Sequence, residues 1–184
     1  MMHDLGCVCG RHFRRPLFHV LDVTAQPGLR YAVLAGVLNV AQCPSCERSA
    51  VVGLPFIYSD EVRGYLFQVY PDNVDGVTED DAALQVIAER SMLVVEGEQR
   101  PTVMRGTARL VELLNAELDD DEQPGIVVLD VRPGIRSERA ARLVAGQIAA
   151  EVGGYVHSWR EGGRLHLHVL GPTARLETIT VVMD

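Results

Sequence analysis

Four cysteines in two tight pairs, Cys7-Val8-Cys9 and Cys43-Pro44-Ser45-Cys46, constrain this chain more than any other feature. They are its only cysteines, and the opening Met1-Met2-His3-Asp4-Leu5-Gly6 lacks the basic region and apolar core of a secretory signal. No apolar run reaches the roughly 18–20 residues of a membrane span. The expected compartment is therefore the cytoplasm, where closely spaced thiols are better suited to gripping a metal than to stapling disulfides. Four thiolates on one point is the demand of a structural zinc ion, and a closed four-sulfur site leaves no open position for chemistry.

The two pairs differ in quality. Cys43-Pro44-Ser45-Cys46 lies between two strand-like segments, the pattern of a zinc knuckle, whose turn aims both thiolates inward while its N–H groups bond to sulfur. Cys7-Val8-Cys9 is one residue short of the usual spacing, so His3 or His12 could replace one sulfur if that pair cannot close. Two other readings of the thiols stand beside zinc. A redox pair at Cys43 and Cys46 needs a helix start to lower the thiol pKa, and the following Ser49-Ala50-Val51-Val52 reads as strand. Four buried, inert cysteines without metal are the remaining alternative.

Charge and composition exclude more than they assign. All 17 basic residues are arginine, so a Walker P-loop lysine, a pyridoxal Schiff base and a lysine nucleophile are ruled out. The net charge of −8 is concentrated in residues 77–122, which hold four arginines and 12 acids. A chain this acidic is a poor general ligand for a polyanion, because such binding rests on basic groups that neutralise phosphates. No G-x-S-x-G, H-E-x-x-H or G-x-G-x-x-G is present, so the common enzyme templates give nothing.

Periodicity lays out the elements. A strand is expected within 11–23, and a short helix over Pro27–Gly36, with proline at its start and glycine past its end. Residues 38–42, 49–58 and 65–70 read as β-rich. Residues 79–90 and 107–118 carry apolar side chains at helical spacing, including Leu84, Ile87, Leu110, Leu113 and Leu114. After the acidic stretch, 125–131 reads as a buried strand. Ser137 is expected to cap a helix over Glu138–Val152 that Gly153-Gly154 ends. Strands at 155–160, 164–170 and 176–183 close the chain. The fold class is α+β: a zinc-ribbon-like N-terminal β domain (1–76), an acidic helical connector (77–123), and a β-α-β-β-β domain (124–184) whose antiparallel sheet carries one helix.

Gly36-Val37-Leu38-Asn39, Cys43-Pro44-Ser45-Cys46, Pro55-Phe56-Ile57-Tyr58-Ser59-Asp60 and Val69-Tyr70-Pro71 together resemble the CpXC domain family. The resemblance covers roughly residues 5–120 and is firmest over 29–71. It implies zinc binding through two cysteine pairs, and the family carries no assigned reaction. Cys43 and Cys46 match its second motif. Cys7 and Cys9 take the place of the first, without its proline and one spacer, and Glu47 stands where a glycine commonly follows the second pair.

Three further groups are candidates. Tyr58 and Asp60, two apart on a strand, share a face; they read as a packed tyrosine and a strand-ending aspartate unless that strand lines a cleft. In the tail, a two-residue Gly162-Gly163 turn pairs Glu161 with Arg164, His157 with His168 and Trp159 with His166. Val156, Leu165, Leu167 and Val169 then face the helix. Tyr155, His157, Trp159, His166 and His168 share the other face, which suits either an aromatic contact surface or a three-nitrogen metal site. Arg11, Arg14 and Arg15 with Phe13 form a small basic cluster, read mainly as a solvated strand. The leading expectation is a zinc-stabilised, non-catalytic protein working through contacts with a protein partner or as a homo-oligomer. A metalloenzyme using His157, His166 and His168, and a nucleic-acid-binding zinc ribbon, are the alternatives. Nucleic acid is the weaker partner, and no membrane association is expected.

Overall fold

The computed structural model describes residues 1–71, 101–131 and 135–177. The predicted helix at 79–90 lies outside them. The architecture is α+β, with four small sheets and four helices among the described residues.

The N-terminal half is built on turns. β1 (Met2–Gly6) pairs antiparallel with β2 (His12–Pro16), so that the first cysteine pair falls in the hairpin loop. β3 (Val20–Asp22) belongs to a different sheet. The single strand expected over 11–23 is thus two. The break falls at Leu17–His19, where the buried Asn39 side chain accepts the Phe18 N–H at 2.7 Å and donates to the Phe18 carbonyl at 2.9 Å. A side-chain amide there replaces a ladder neighbour, and the chain turns instead of running on.

Helix α1 (Gly28–Leu34) follows Pro27 and ends before Gly36, whose φ of +65° explains why glycine closes it. β4 (Val40–Gln42) and β5 (Ser49–Val51) form a second hairpin around the second cysteine pair. β6 (Phe56–Asp60) is a separate strand, because Val52 turns back to bond the Asn39 carbonyl and Pro55 has no N–H to offer a ladder. β7 (Tyr65–Tyr70) pairs antiparallel with β6, and β8 (Thr102–Arg105) pairs parallel with β7. The central sheet therefore runs β3-β6-β7-β8.

Helix α2 (Thr107–Ala116) lays Leu110 and Leu114 into the same core as Leu21, Val33, Phe56, Tyr58 and Val69. An ionic web covers one edge of that core. Arg63 meets Asp60, Glu117 and Glu122 at 3.5, 3.9 and 2.8 Å, Glu122 also meets the buried Arg30 at 3.5 Å, and Tyr65 donates to Glu117.

The C-terminal sheet runs β10-β11-β9, wholly antiparallel: β9 (Pro124–Val131), β10 (Tyr155–Glu161) and β11 (Arg164–Pro172). The hairpin register is the expected one, with Glu161 opposite Arg164, His157 opposite His168 and Trp159 opposite His166. Gly162 and Gly163 both take positive φ, as a two-residue turn of this hand requires. Helix α3 (Ile135–Val152) packs Ala141, Ala145, Ile148, Ala149 and Val152 on Leu165, Leu167 and Val169. It begins earlier than expected, so Ser137 lies within its first turn and not ahead of it. Gly153 closes it in the left-handed region, with Gly154 bonding back to the Ala149 carbonyl.

The strand expected over 176–183 is not found where the structure describes it. Pro172 ends β11, and helix α4 (Thr173–Leu176) follows, with Leu176 buried in the second core. The Thr173 N–H and hydroxyl both bond the Gln123 carbonyl, which turns the chain off the sheet. Residues 178–184 lie outside the described ones.

The two halves meet at a close backbone approach. The start of α1 sits against Gly153 to Tyr155, and a Cβ placed on Gly28 would overlap the Gly154 carbonyl. Gly28 is glycine because only hydrogen fits there, while a Cβ on Gly154 would run into the Leu170 carbonyl of the neighbouring strand.

Candidate metal centre

The two hairpin loops face each other. In the first, the Cys7 N–H bonds the Arg11 carbonyl and the Gly10 N–H bonds the Cys7 carbonyl; Gly10 takes φ +85°. In the second, the Cys43 N–H bonds Arg48 and the Glu47 N–H bonds Cys43. The sulfur atoms of Cys7, Cys9, Cys43 and Cys46 all lie within 4.8 Å of one another, and none is in a disulfide. The closest approaches run between the loops: Cys7 to Cys46 at 3.5 Å and Cys9 to Cys43 at 3.7 Å. A tetrahedral ion with sulfur at about 2.3 Å sets the sulfurs about 3.8 Å apart, close to the two distances between the loops, so the donor set is of a size to take a four-sulfur ion. These cysteines could hold a metal ion.

The short Cys7-Val8-Cys9 spacing does not prevent closure, because the tight hairpin turn brings both thiols to one side. No histidine is needed to complete the set. The His3 ring is engaged elsewhere, with Nε2 2.6 Å from that of His19.

The thiols also show the electrostatics of a crowded anionic site. Burial resists ionisation of Cys43, yet the N–H groups of Cys46 and Ser45, with help from Cys7 and Cys46, bring its pKa down to about 6. At Cys7 the Cys9 N–H favours the thiolate, but burial and the other three sulfurs outweigh it and push the pKa up to about 11. One thiolate forms readily and the next resists, which is the situation a cation relieves. The loop after Cys46 leads into strand β5, so no helix start is available to activate a redox cysteine.

Tyr58 and Asp60 are buried, at 0% and 2% exposure. Tyr58 packs near Phe67, and Asp60 accepts the Arg63 N–H at the end of β6, so both serve packing and the turn. In the basic cluster, Arg14 lies 3.4 Å from Asp4 on the paired strand, while Arg15 donates to the Gln42 carbonyl at 3.3 Å.

The histidines of the C-terminal sheet share one face with Trp159 but do not converge. The indole stacks on His157 and His166, at 5.3 and 5.0 Å between ring centres, and meets His168 edge-on at 4.4 Å. His166 is bonded to Asp130 at 2.6 Å. Among the described residues, the four cysteines are the only group of three or more ligand side chains that meet at a point. The face is an aromatic surface, with no three-nitrogen site among the described residues.

Burial, then the neighbouring His168, lowers the pKa of His157; burial, then His166 against the opposing pull of Asp130, lowers that of His168. Burial and His3 do the same at His19. A histidine whose folded pKa is lowered contributes nothing above the unfolded value of 6.5 and costs stability as pH falls below it. The expected result is that the His157 and His168 ring protons titrate with midpoints below 6.5 by NMR. The melting temperature should fall as pH drops from 7 towards 5.5. Midpoints above 6.5 would contradict the burial of this face.

One part of the site carries no spacing signal in the sequence. The Gln42 side chain, one residue before Cys43, donates to the Arg160 carbonyl at 2.6 Å and accepts the Arg160 N–H at 2.8 Å. Glu47, one residue after Cys46, accepts the Gly162 N–H at 2.9 Å while holding φ +58°. The second knuckle is thereby fastened at both ends to the edge of the C-terminal sheet. Arg160 is itself held by Glu138 through two bonds of 3.1 and 2.6 Å.

The fold is thus α+β, with two opposed hairpin knuckles whose four thiols converge and could hold a metal ion. The family model described as CpXC protein matches residues 5–121, well over half of the chain, and the chain belongs to that family. No curated protein and no solved structure matches it. Among the described residues, no helix is long and apolar enough to cross a membrane.

Proposed function

We propose that the cysteine centre holds a structural zinc ion and that the protein is non-catalytic, acting through contacts with a protein partner or further copies of itself. The observation that carries this reading is the convergence of four sulfur atoms. A set of four thiolates favours a soft, tetrahedral ion and fills its coordination sphere, leaving no position for substrate. The N-terminal hairpins are short and bury little: β5 is exposed throughout and β2 nearly so. Elements this slight gain their rigidity from the ion.

Dialysis against a chelator tests this. Amide protection is expected to collapse in the two hairpins first and to return with stoichiometric zinc. The emission of Trp159, the only tryptophan, should move with metal content, because Gln42 ties the knuckle to the residue next to it. Unchanged protection after metal removal would contradict the reading.

A further inference from the structure

β10 is an edge strand, with β11 on one side only. Arg160 turns both its N–H and its carbonyl outward, to Gln42. In an antiparallel ladder the outward groups recur every second residue, so Ser158 and Val156 turn theirs outward as well. Neither meets a partner there among the described residues. A cleft of about 310 Å3 runs beside them. One wall is five consecutive residues, Tyr155 to Trp159, which lie on this edge strand. Arg15, Phe18, Asn39 and Gln42 line the wall opposite.

We propose that this edge is a docking rail for an extended peptide segment of a protein partner, one that carries a carboxylate at the Gln42 end. The Gln42 amide already makes the two bonds that one residue of an added strand would make. It therefore fixes where the added strand stops and in which register it pairs. Val156 and Ser158 supply the next rungs, about 6.8 Å apart, enough for a strand of three or four residues. Arg15 stands at the closed end, exposed and in no ion pair among the described residues, and it is suited to a carboxylate. Trp159 and His157 offer rings to the side chains that alternate toward their face. This gives the protein contact of the proposed function a location, and its test leaves the cysteines untouched.

The test uses the full chain, isotope-labelled, and synthetic hexapeptides of alternating threonine and valine with glutamate at either end. The expected result is that the largest amide shifts fall on Val156 and Ser158. Lysine in place of glutamate, or Arg15→Glu in the protein, should weaken binding at least tenfold. Ser158→Pro removes an outward N–H at an edge position, where proline is tolerated, and should weaken binding at least tenfold while the melting curve holds. If that variant fails to fold, peptides N-methylated at alternate residues make the same test from the other side, and one of the two methylation patterns should lose binding. Shifts confined to other surfaces, binding indifferent to both methylation patterns, or no binding at millimolar peptide would overturn the proposal. Intact peptide binding by metal-free protein would fault the zinc reading and leave this one standing.

Discussion

Replacing Cys43 with serine is expected to empty the metal centre and unfold the N-terminal hairpins. Cys43 is 2% exposed and receives N–H groups from Ser45 and Cys46, so its thiolate is the best prepared of the four to bind a cation. A structural zinc ion contributes on the order of 10 kcal/mol of binding energy, more than most small domains have to spare. Loss of one ligand also leaves three crowded sulfurs without the charge that holds them together. Metal content should fall below about a tenth of the wild-type value, with loss of amide protection spreading from residues 2–16 and 40–51. The C-terminal core of α3 and its sheet shares none of its residues with the centre and should melt later. A Cys43→Ser protein with wild-type metal content and an unchanged melting curve would refute the assignment.

Replacing Gly28 with alanine is expected to destabilise the protein by about 3 kcal/mol, at the upper end of the cost of overpacking a close contact. The added methyl group meets backbone on the opposite side, at Gly154 and the Tyr155 N–H, and backbone cannot swing aside as a side chain can. The junction of α1 with β10 would have to open. A matched control is Gly146→Ala in the exposed middle of α3, where a Cβ meets nothing within 4 Å. That change should stabilise by about 0.5–1 kcal/mol, because alanine suits a helix better than glycine. Urea titrations of both variants make the comparison, and equal effects of the same sign would show that the close approach does not bear on stability.

The legible parts of this molecule are those written in local chemistry. The Gly162-Gly163 turn and the Glu161 and Arg164 charges are enough to set the β10–β11 register, and with it the shared face of Trp159 and the three histidines. Proline and glycine around α1, and the glycine pair after α3, mark their helix ends for the same reason. The cysteine spacing points to one four-sulfur centre, and the sulfurs do converge.

The less legible parts depend on partners distant in sequence. β1 and β8 are strands because β2 and β7 lie beside them, and nothing in Met2–Gly6 or Thr102–Arg105 demands it. Asn39 divides one expected strand into two by bonding the Phe18 backbone from 21 positions away. Gln42 fastens the knuckle to Arg160 across 118 positions, through an amide that reads in the sequence as one more polar residue. Leu176 reads as the start of a strand because an apolar, β-prone run follows it, yet Pro172 and the Thr173 bonds to Gln123 fold it into a helical turn.

Elemental analysis of the protein, purified without added metal or chelator, bears most directly on the cysteine centre. One zinc per chain, lost together with N-terminal order when the thiols are altered, is the expected result. Metal-free protein whose two hairpins are already rigid, with four reduced thiols, would contradict it.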